Sequence, residues 1–206
     1  SSVMLALFEA TPADAWLAEA LYQRFSEETD MVSCTPAEVG IYQTEERYRE
    51  MFTNFQEPGR GFYLFAEKDG EVVGSLSLHV DSKVRFSHRA EFGLAIMRKC
   101  SSQGIGTALL DYMFEWLKKY PSIRKIELIT REDNQRAKRL YERYGFRVEG
   151  LHSRSMRVNQ TFYAAYHMGL EINPPVEVLA SQGSSEERQK VTGAPFPPLY
   201  RNHPPT

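Results

Sequence analysis

Between Glu91 and Lys119 the chain reads Glu-Phe-Gly-Leu-Ala-Ile-Met, then Arg-Lys-Cys-Ser-Ser-Gln, then Gly-Ile-Gly-Thr-Ala-Leu-Leu and a further helical run. This is the pattern of a short apolar strand, a basic and polar loop, two glycines one residue apart, and an amphipathic helix. Gly104 and Gly106 carry no Cβ, so the backbone can pass close to a ligand and adopt unusual φ. Ile105, Leu109, Met113 and Leu117 recur at four-residue spacing and give the helix one apolar face. Its first turn leaves N–H groups unpaired and adds partial positive charge from the helix dipole. Those are the requirements of an anion site, most often for phosphate. Arg98 and Lys99, just upstream, add full positive charge. The same Gly-x-Gly also suits close backbone packing with no ligand, and the sequence alone leaves both readings open. It is not a Walker loop, because no Lys-Ser/Thr follows the second glycine. It is not a dinucleotide fingerprint either, lacking the third glycine and the acidic residue that closes the following strand.

The chain has 206 residues, enough for one domain with a sizeable core and an appendage. A formal net charge of -2, with charged residues at 25%, provides no general basic field for nucleic acid. No apolar run approaches the length of a membrane span, and residues 1–10 lack a signal peptide's charged start. Cys34 and Cys100 are far apart and match no metal spacing, so no disulfide framework is expected and a reducing, cytoplasmic compartment fits. Cys100 is either a reactive thiol beside the anion loop or, more simply, a small buried side chain. The five histidines form no ligand pair at helical spacing, so no metal is expected.

Met4–Ala10 reads as an edge strand. Thr11-Pro12-Ala13-Asp14 then supplies a cap, a first-turn proline and an acid for a helix running through Trp16, Leu17, Ala20, Leu21 and Phe25. Residues 26–42 read as an acidic loop. A helix over 44–55 follows, with Tyr48, Met51, Phe52 and Phe55 on one side. Strands 62–68 and 72–80 flank Asp69-Gly70, a hairpin signal. A strand over 90–97 leads into the glycine loop, and Pro121 separates the long helix from a strand over 125–130. A helix over 134–144 carries Ala137, Leu140, Tyr141 and Tyr144 at i, i+3, i+4 and i+7 and stops at Gly145. Strands 146–150 and 161–170 close a mixed α/β domain over residues 1–172. From residue 173 the composition changes: seven of the 11 prolines lie there, so 173–206 reads as a proline-rich tail. Phe196, Leu199 and Tyr200 are its candidates to dock on the domain or on a second copy, which keeps a homodimer among the expected partners.

Two motifs together carry a resemblance. One is Ile96-Met97 followed by Ser101-Ser102-Gln103-Gly104-Ile105-Gly106-Thr107-Ala108-Leu109-Leu110. The other is Asn134-x-x-Ala137-x-x-Leu140-Tyr141-x-x-x-Gly145-Phe146. In this order and separation they resemble the GCN5-related N-acetyltransferase (GNAT) superfamily, in its bacterial single-domain branch. The likeness covers nearly all of residues 3–172, including Gly74 and Met168-Gly169-Leu170. It implies a GNAT fold: α/β, with a mixed central sheet of splayed strands, N-terminal helices and a β-α-β-α-β core. It also implies acetyl-CoA as cosubstrate, its pyrophosphate on the backbone N–H groups of Gln103 to Thr107 and its pantetheine lying along Ile96 and Met97 as an added strand. The cofactor-binding set so implied is Ile96, Met97, Arg98, Ser101, Gln103, Gly104, Ile105, Gly106, Thr107, Asn134 and Tyr141. Family members usually carry Arg or Gln where this chain has Ser101. Weaker cofactor binding is therefore expected, with Arg98 or Lys99 as the source of the missing charge.

The implied reaction is direct attack of a primary amine on the thioester; the acceptor is a small amine, an amino acid or a protein N-terminus. An alkylamine, with a pKa near 10.4, is mostly protonated at neutral pH and needs a base. Glu91 matches a glutamate used so in part of the family; the plain alternative is a solvated strand-end carboxylate. Backbone N–H groups from Leu94 to Ile96 are candidates to polarise the thioester oxygen. Tyr141 matches the family's general acid, and the alternative is a core tyrosine. Asn134 either caps its helix or holds pantetheine amides, or does both. Glu27 to Glu38, with Glu45, Glu46 and Glu50, suggest a cationic acceptor, against the blander reading of a solvated face. Ala164 stands where relatives often carry an acid. The competing function is a non-catalytic module that binds acyl-CoA and signals through a partner.

Overall fold

The computed structural model describes residues 4–173. The proline-rich segment and the docking expected of Phe196, Leu199 and Tyr200 lie outside the described residues.

Seven strands form one sheet in the order β1-β2-β3-β4-β5-β7-β6. The strands are β1 Leu5–Glu9, β2 Gly61–Lys68, β3 Glu71–Val80, β4 Arg89–Ile96, β5 Lys125–Arg131, β6 Arg147–Val158 and β7 Thr161–Glu171. Every neighbouring pair is antiparallel except β4 and β5. Helices α1 Ala15–Glu28 and α3 Glu45–Asn54 cover one face of β2 and β3. Helix α4 Ile105–Leu117 covers the other, and α5 Gln135–Arg143 joins the same core beside β4.

Side-chain alternation along β2 serves both layers. Phe62, Leu64 and Ala66 join Leu109, Leu110 and Met113 of α4, while Tyr63 and Phe65 join Leu21, Phe25, Tyr48 and Phe52. A strand buried on both faces reads as a continuous apolar run, as Gly-Phe-Tyr-Leu-Phe-Ala does. The expected capping box is present on the 3-10 turn Pro12–Asp14 that leads into α1: Asp14 accepts from the Thr11 N–H at 2.8 Å and from its hydroxyl at 3.1 Å. The buried stripe of α1 is Ala15, Ala18, Leu21 and Phe25, whereas Trp16 faces solvent. Two alanines let the helix approach the sheet closely, and an indole would not fit there.

Two segments differ from the sequence reading. Residues 26–42 are not one loop. Ser26 to Glu28 finish α1, and Thr35 and Glu38 form a second capping box ahead of α2, Val39–Tyr42, which buries Val39. β6 runs on to Val158 and turns through Asn159-Gln160 into β7. Its polar run His-Ser-Arg-Ser and register shifts at 148/150 and 152/156 hide the strand from a period-2 reading.

The feature that positions the site is a short pairing. β4 and β5 share only Arg89↔Lys125, Ala90↔Ile126 and Glu91↔Glu127. β4 stays paired with β3 to Ile96, and β5 with β7 to Arg131. From Phe92 and Leu128 onward the two parallel strands therefore diverge, and an interior edge of the sheet is left open.

Candidate active site

The gap between β4 and β5 is the floor of a cleft of about 840 Å³. β4 lines it with Phe92 to Ile96, β5 with Leu128 to Arg131, and the loop into α4 with Ser101, Ser102 and Gly104 to Thr107. One face of α5 contributes Asn134, Ala137, Leu140 and Tyr141. From the opposite side of the sheet come Phe25, Glu28, Thr29, Met31 and Val32. The cleft thus passes through the sheet and is reached from both layers.

On its β4 wall, no strand pairs with the outer edge of Phe92–Ile96 among the described residues. Backbone donors and acceptors in such a place need partners, and an extended ligand with amide groups provides them. At the loop, Gly104 has φ of +81°, a left-handed conformation that turns the chain into α4. A Cβ on Gly106 would stand 3.0 Å from Leu140 Cδ2 and 3.4 Å from Ile96 Cδ1, so α4 packs tightly on α5 and β4 at this glycine. The close-packing and anion-binding readings of this glycine pair are therefore compatible: packing at Gly106 brings the N-terminus of α4 to the cleft.

Tyr141 is the second marked feature. Its ring is boxed by Phe92, at 5.6 Å and 80°, and by Phe146, at 6.1 Å and 70°. Only 5% of the residue is exposed; no buried side-chain oxygen among the described residues lacks a partner, so the Tyr141 hydroxyl, which has no protein partner there, is the part of the side chain that opens on the cleft. Burial raises its pKa well above the ordinary phenol value, so the group holds its proton throughout the neutral range. A core tyrosine normally finds a partner for its hydroxyl. Asn134 caps α5, its Oδ1 accepting from the Ala137 N–H at 3.3 Å, and the residue also lines the cleft.

Several expected residues are placed differently. Met97 lines no part of the cleft: its N–H donates to Val73 O at 2.7 Å and its side chain packs into the core. The Gln103 side chain turns outward to Lys68. Arg98 lines the cleft but is bonded to the end of α1. Its guanidinium donates to the Glu28 carbonyl at 2.6 Å, and its N–H to the Glu28 carboxylate at 2.8 Å. Lys99 pairs with Glu71 at 2.7 Å. Arg136, Arg139 and Arg143 of α5 line the cleft as well. Their i, i+3, i+7 spacing is visible in the sequence beside the apolar face that carries Tyr141. Leu140 and Ala137 are half-buried rather than core, because they form that cleft wall. Glu91 is exposed, does not line the cleft, and sits at the last β4–β5 pair, where the strands part.

Arg131 is a residue the sequence reading missed. Nearly buried at the end of β5, it makes two bonds to Asp133, at 2.7 and 2.9 Å. It also bonds the Asp30 carboxylate at 2.8 Å and the Asp30 carbonyl at 3.0 Å, and stacks over Tyr163 at 4.0 Å. One cation thereby ties the segment after α1, the segment before α5 and the β6–β7 hairpin around the cleft.

The profile of the acetyltransferase (GNAT) family matches residues 18–146, and the chain belongs to that family. The L-amino acid N-acetyltransferase AaaT of Escherichia coli (strain K12) is 34% identical over 105 residues, which are 51% of this chain and 65% of that protein. The match thus spans a little under two thirds of that relative's length. Among solved structures, a GNAT-family acetyltransferase from Streptococcus pneumoniae superposes with a TM-score of 0.74 at 29% identity, covering 82% of this chain and 99% of that one. The yncA protein of Salmonella typhimurium, solved with its cofactor acetyl-CoA, gives 0.71 at 16% identity over 84% and 96% of the two chains; that likeness shows the fold alone.

Proposed function

We propose that the protein is an acetyl-CoA-dependent N-acetyltransferase acting on a primary amine. The observation that carries this reading is the unpartnered hydroxyl of buried Tyr141, facing a cleft that also holds an open strand edge and a helix N-terminus. When bound, acetyl-CoA supplies an acyl group on a thioester and a thiol as leaving group. Residues 104–107 and the N-terminus of α4 would hold its diphosphate, with the α5 arginines adding charge; Ile96, Asn134 and the open edge of β4 would hold its pantetheine amides.

The chain's own groups then divide the work. Main-chain donors along Leu94 to Ile96 polarise the carbonyl oxygen. Glu91 takes a proton from the acceptor ammonium through a water, since it stands where the strands part but outside the cleft wall. Tyr141 holds a proton at its phenolic oxygen for the departing sulfur. The new nitrogen–carbon bond replaces the carbon–sulfur bond, and the second amine proton balances the one Tyr141 gives up. The AaaT relative supports an amino acid or similar small amine as acceptor. Two free cysteines support a reducing, cytoplasmic setting.

The test is thiol release from acetyl-CoA against a panel of primary amines. Turnover with at least one amine, falling steeply in Tyr141→Phe while acetyl-CoA still binds, is the expected result. Full turnover in Tyr141→Phe overturns the acid role, and binding without turnover on any amine overturns the enzyme reading.

A further inference from the structure

The class of amine is addressed by the side of the cleft that faces α1. The acids that suggested a cationic acceptor are largely committed elsewhere. Glu28 accepts from the Arg98 N–H at 2.8 Å, Asp30 from Arg131 at 2.8 Å, and Glu27 from Gln23 at 3.1 Å. Glu38 closes its own cap on Thr35 at 3.0 Å, and Glu45 pairs with Arg49 at 2.7 Å. What α1 and the following segment present to the cleft is Phe25, Met31 and Val32 beside Glu28 and Thr29, and of these two polar residues Glu28 already holds the Arg98 N–H.

On the β4 wall stands Gly93. Phe92 and Leu94 belong to the core shared with α4 and α5, whereas Ala95 belongs to the one under α1 and α3. By alternation Gly93 opens on the α1 side, between Glu91 and Ala95. It lines the cleft, and an added Cβ would meet only Ser77 Oγ at 3.9 Å, an ordinary contact. Packing does not demand glycine at this position. A glycine inside a strand weakens it, and often marks close approach of a ligand.

We propose that Gly93 is the floor of the acceptor subsite and that Phe25, Met31 and Val32 are its wall. The favoured acceptor is then a primary amine with an apolar substituent rather than a diamine or polyamine. This rests on the transfer reading above and sharpens it. Gly93 sets the size limit: a side chain there occupies the space that the acceptor's substituent fills, beside Glu91, without touching the diphosphate cradle.

The experiment compares the full chain with Gly93→Val over a series of primary amines: ethylamine, isobutylamine, benzylamine and 1,4-diaminobutane. Thiol release gives kcat/KM, and calorimetry on the coenzyme A complex gives acceptor binding. The expected result is that isobutylamine and benzylamine exceed diaminobutane about tenfold or more, and that Gly93→Val lowers them about tenfold relative to ethylamine. Acetyl-CoA affinity should stay within about twofold. If Gly93→Val does not fold, Met31→Ser, at a partly exposed wall position, carries the same test through a loss of apolar preference. A preference for the diamine, or a loss uniform across the series, overturns the assignment. Absence of thiol release and of acceptor binding with every amine overturns the transfer reading along with it, an outcome distinct from turnover that ignores Gly93.

Discussion

Tyr48 and Tyr141 are equally buried, at 5% exposure each, in the two cores on opposite faces of one sheet. Both are packed among aromatic rings: Tyr48 against Phe52 and Tyr63 at 5.8 and 5.9 Å, Tyr141 against Phe92 and Phe146. The Tyr48 hydroxyl donates to Gln43 Oε1 at 2.8 Å; the Tyr141 hydroxyl has no such partner among the described residues. The pairing of the strands beneath them differs in the same way. β2, under Tyr48, pairs with β3 throughout and with β1 from Leu64 to Lys68, the Ala10 N–H donating to the Tyr63 carbonyl at 2.8 Å just beyond that pairing, whereas β4 beside Tyr141 loses β5 after Glu91. A hydroxyl bonded within its own core needs nothing further, whereas a phenol and a strand edge that open on a cleft offer groups to another molecule.

The largest effect that tests this contrast is in Tyr141→Phe. Turnover should fall about 10²–10⁴-fold with acetyl-CoA affinity preserved, as measured by steady-state kinetics beside calorimetry. Next is Gly106→Val. Its side chain would crowd Leu140 and Ile96, and the resulting strain of about 1–3 kcal/mol should weaken acetyl-CoA binding about tenfold. Arg131→Met probes the frame rather than the chemistry. It should cost about 1–2 kcal/mol in chemical denaturation, less than a fully buried network would, because Asp30 and Asp133 still meet solvent.

The same pair gives a pH signature. The bonds from Arg131 hold Asp133 below its ordinary value of 3.8. A depressed carboxylate stabilises fully above that value and loses its contribution as pH falls through the folded one. Asp133→Asn should therefore flatten the acid end of the stability profile without altering it at neutral pH beyond a constant loss. The smallest effect is Tyr48→Phe, at about 0.5–1.5 kcal/mol from one hydrogen bond, with catalysis unchanged. If Tyr48→Phe slowed turnover as Tyr141→Phe is expected to, the contrast between the two tyrosines would collapse.

Local chemistry made much of this legible. Asp69-Gly70 turns with φ of 50° and 84°, Gly145 ends α5 at 94°, and the Gly104 loop opens α4 as its spacing implies. Each depends on residues within a turn of one another. What stayed hidden depends on distant partners. Arg131 meets Asp30 across 101 positions, and nothing near either residue announces the other. Arg98 and Lys99 looked available because Glu28 and Glu71, their partners, lie far upstream. Glu91 was read from its strand position, which is correct, but the cleft wall begins one residue later at Phe92. The three arginines of α5 were overlooked because an apolar stripe dominates the reading of an amphipathic helix.

A structure of the protein with acetyl-CoA tests the account most directly. The diphosphate should lie on the main-chain N–H groups of residues 104–107, the pantetheine should pair with β4 beyond Glu91, and the sulfur should come within hydrogen-bond reach of the Tyr141 hydroxyl. A thioester bound outside the gap between β4 and β5, or a sulfur turned away from Tyr141 with its hydroxyl still unpartnered, would contradict it.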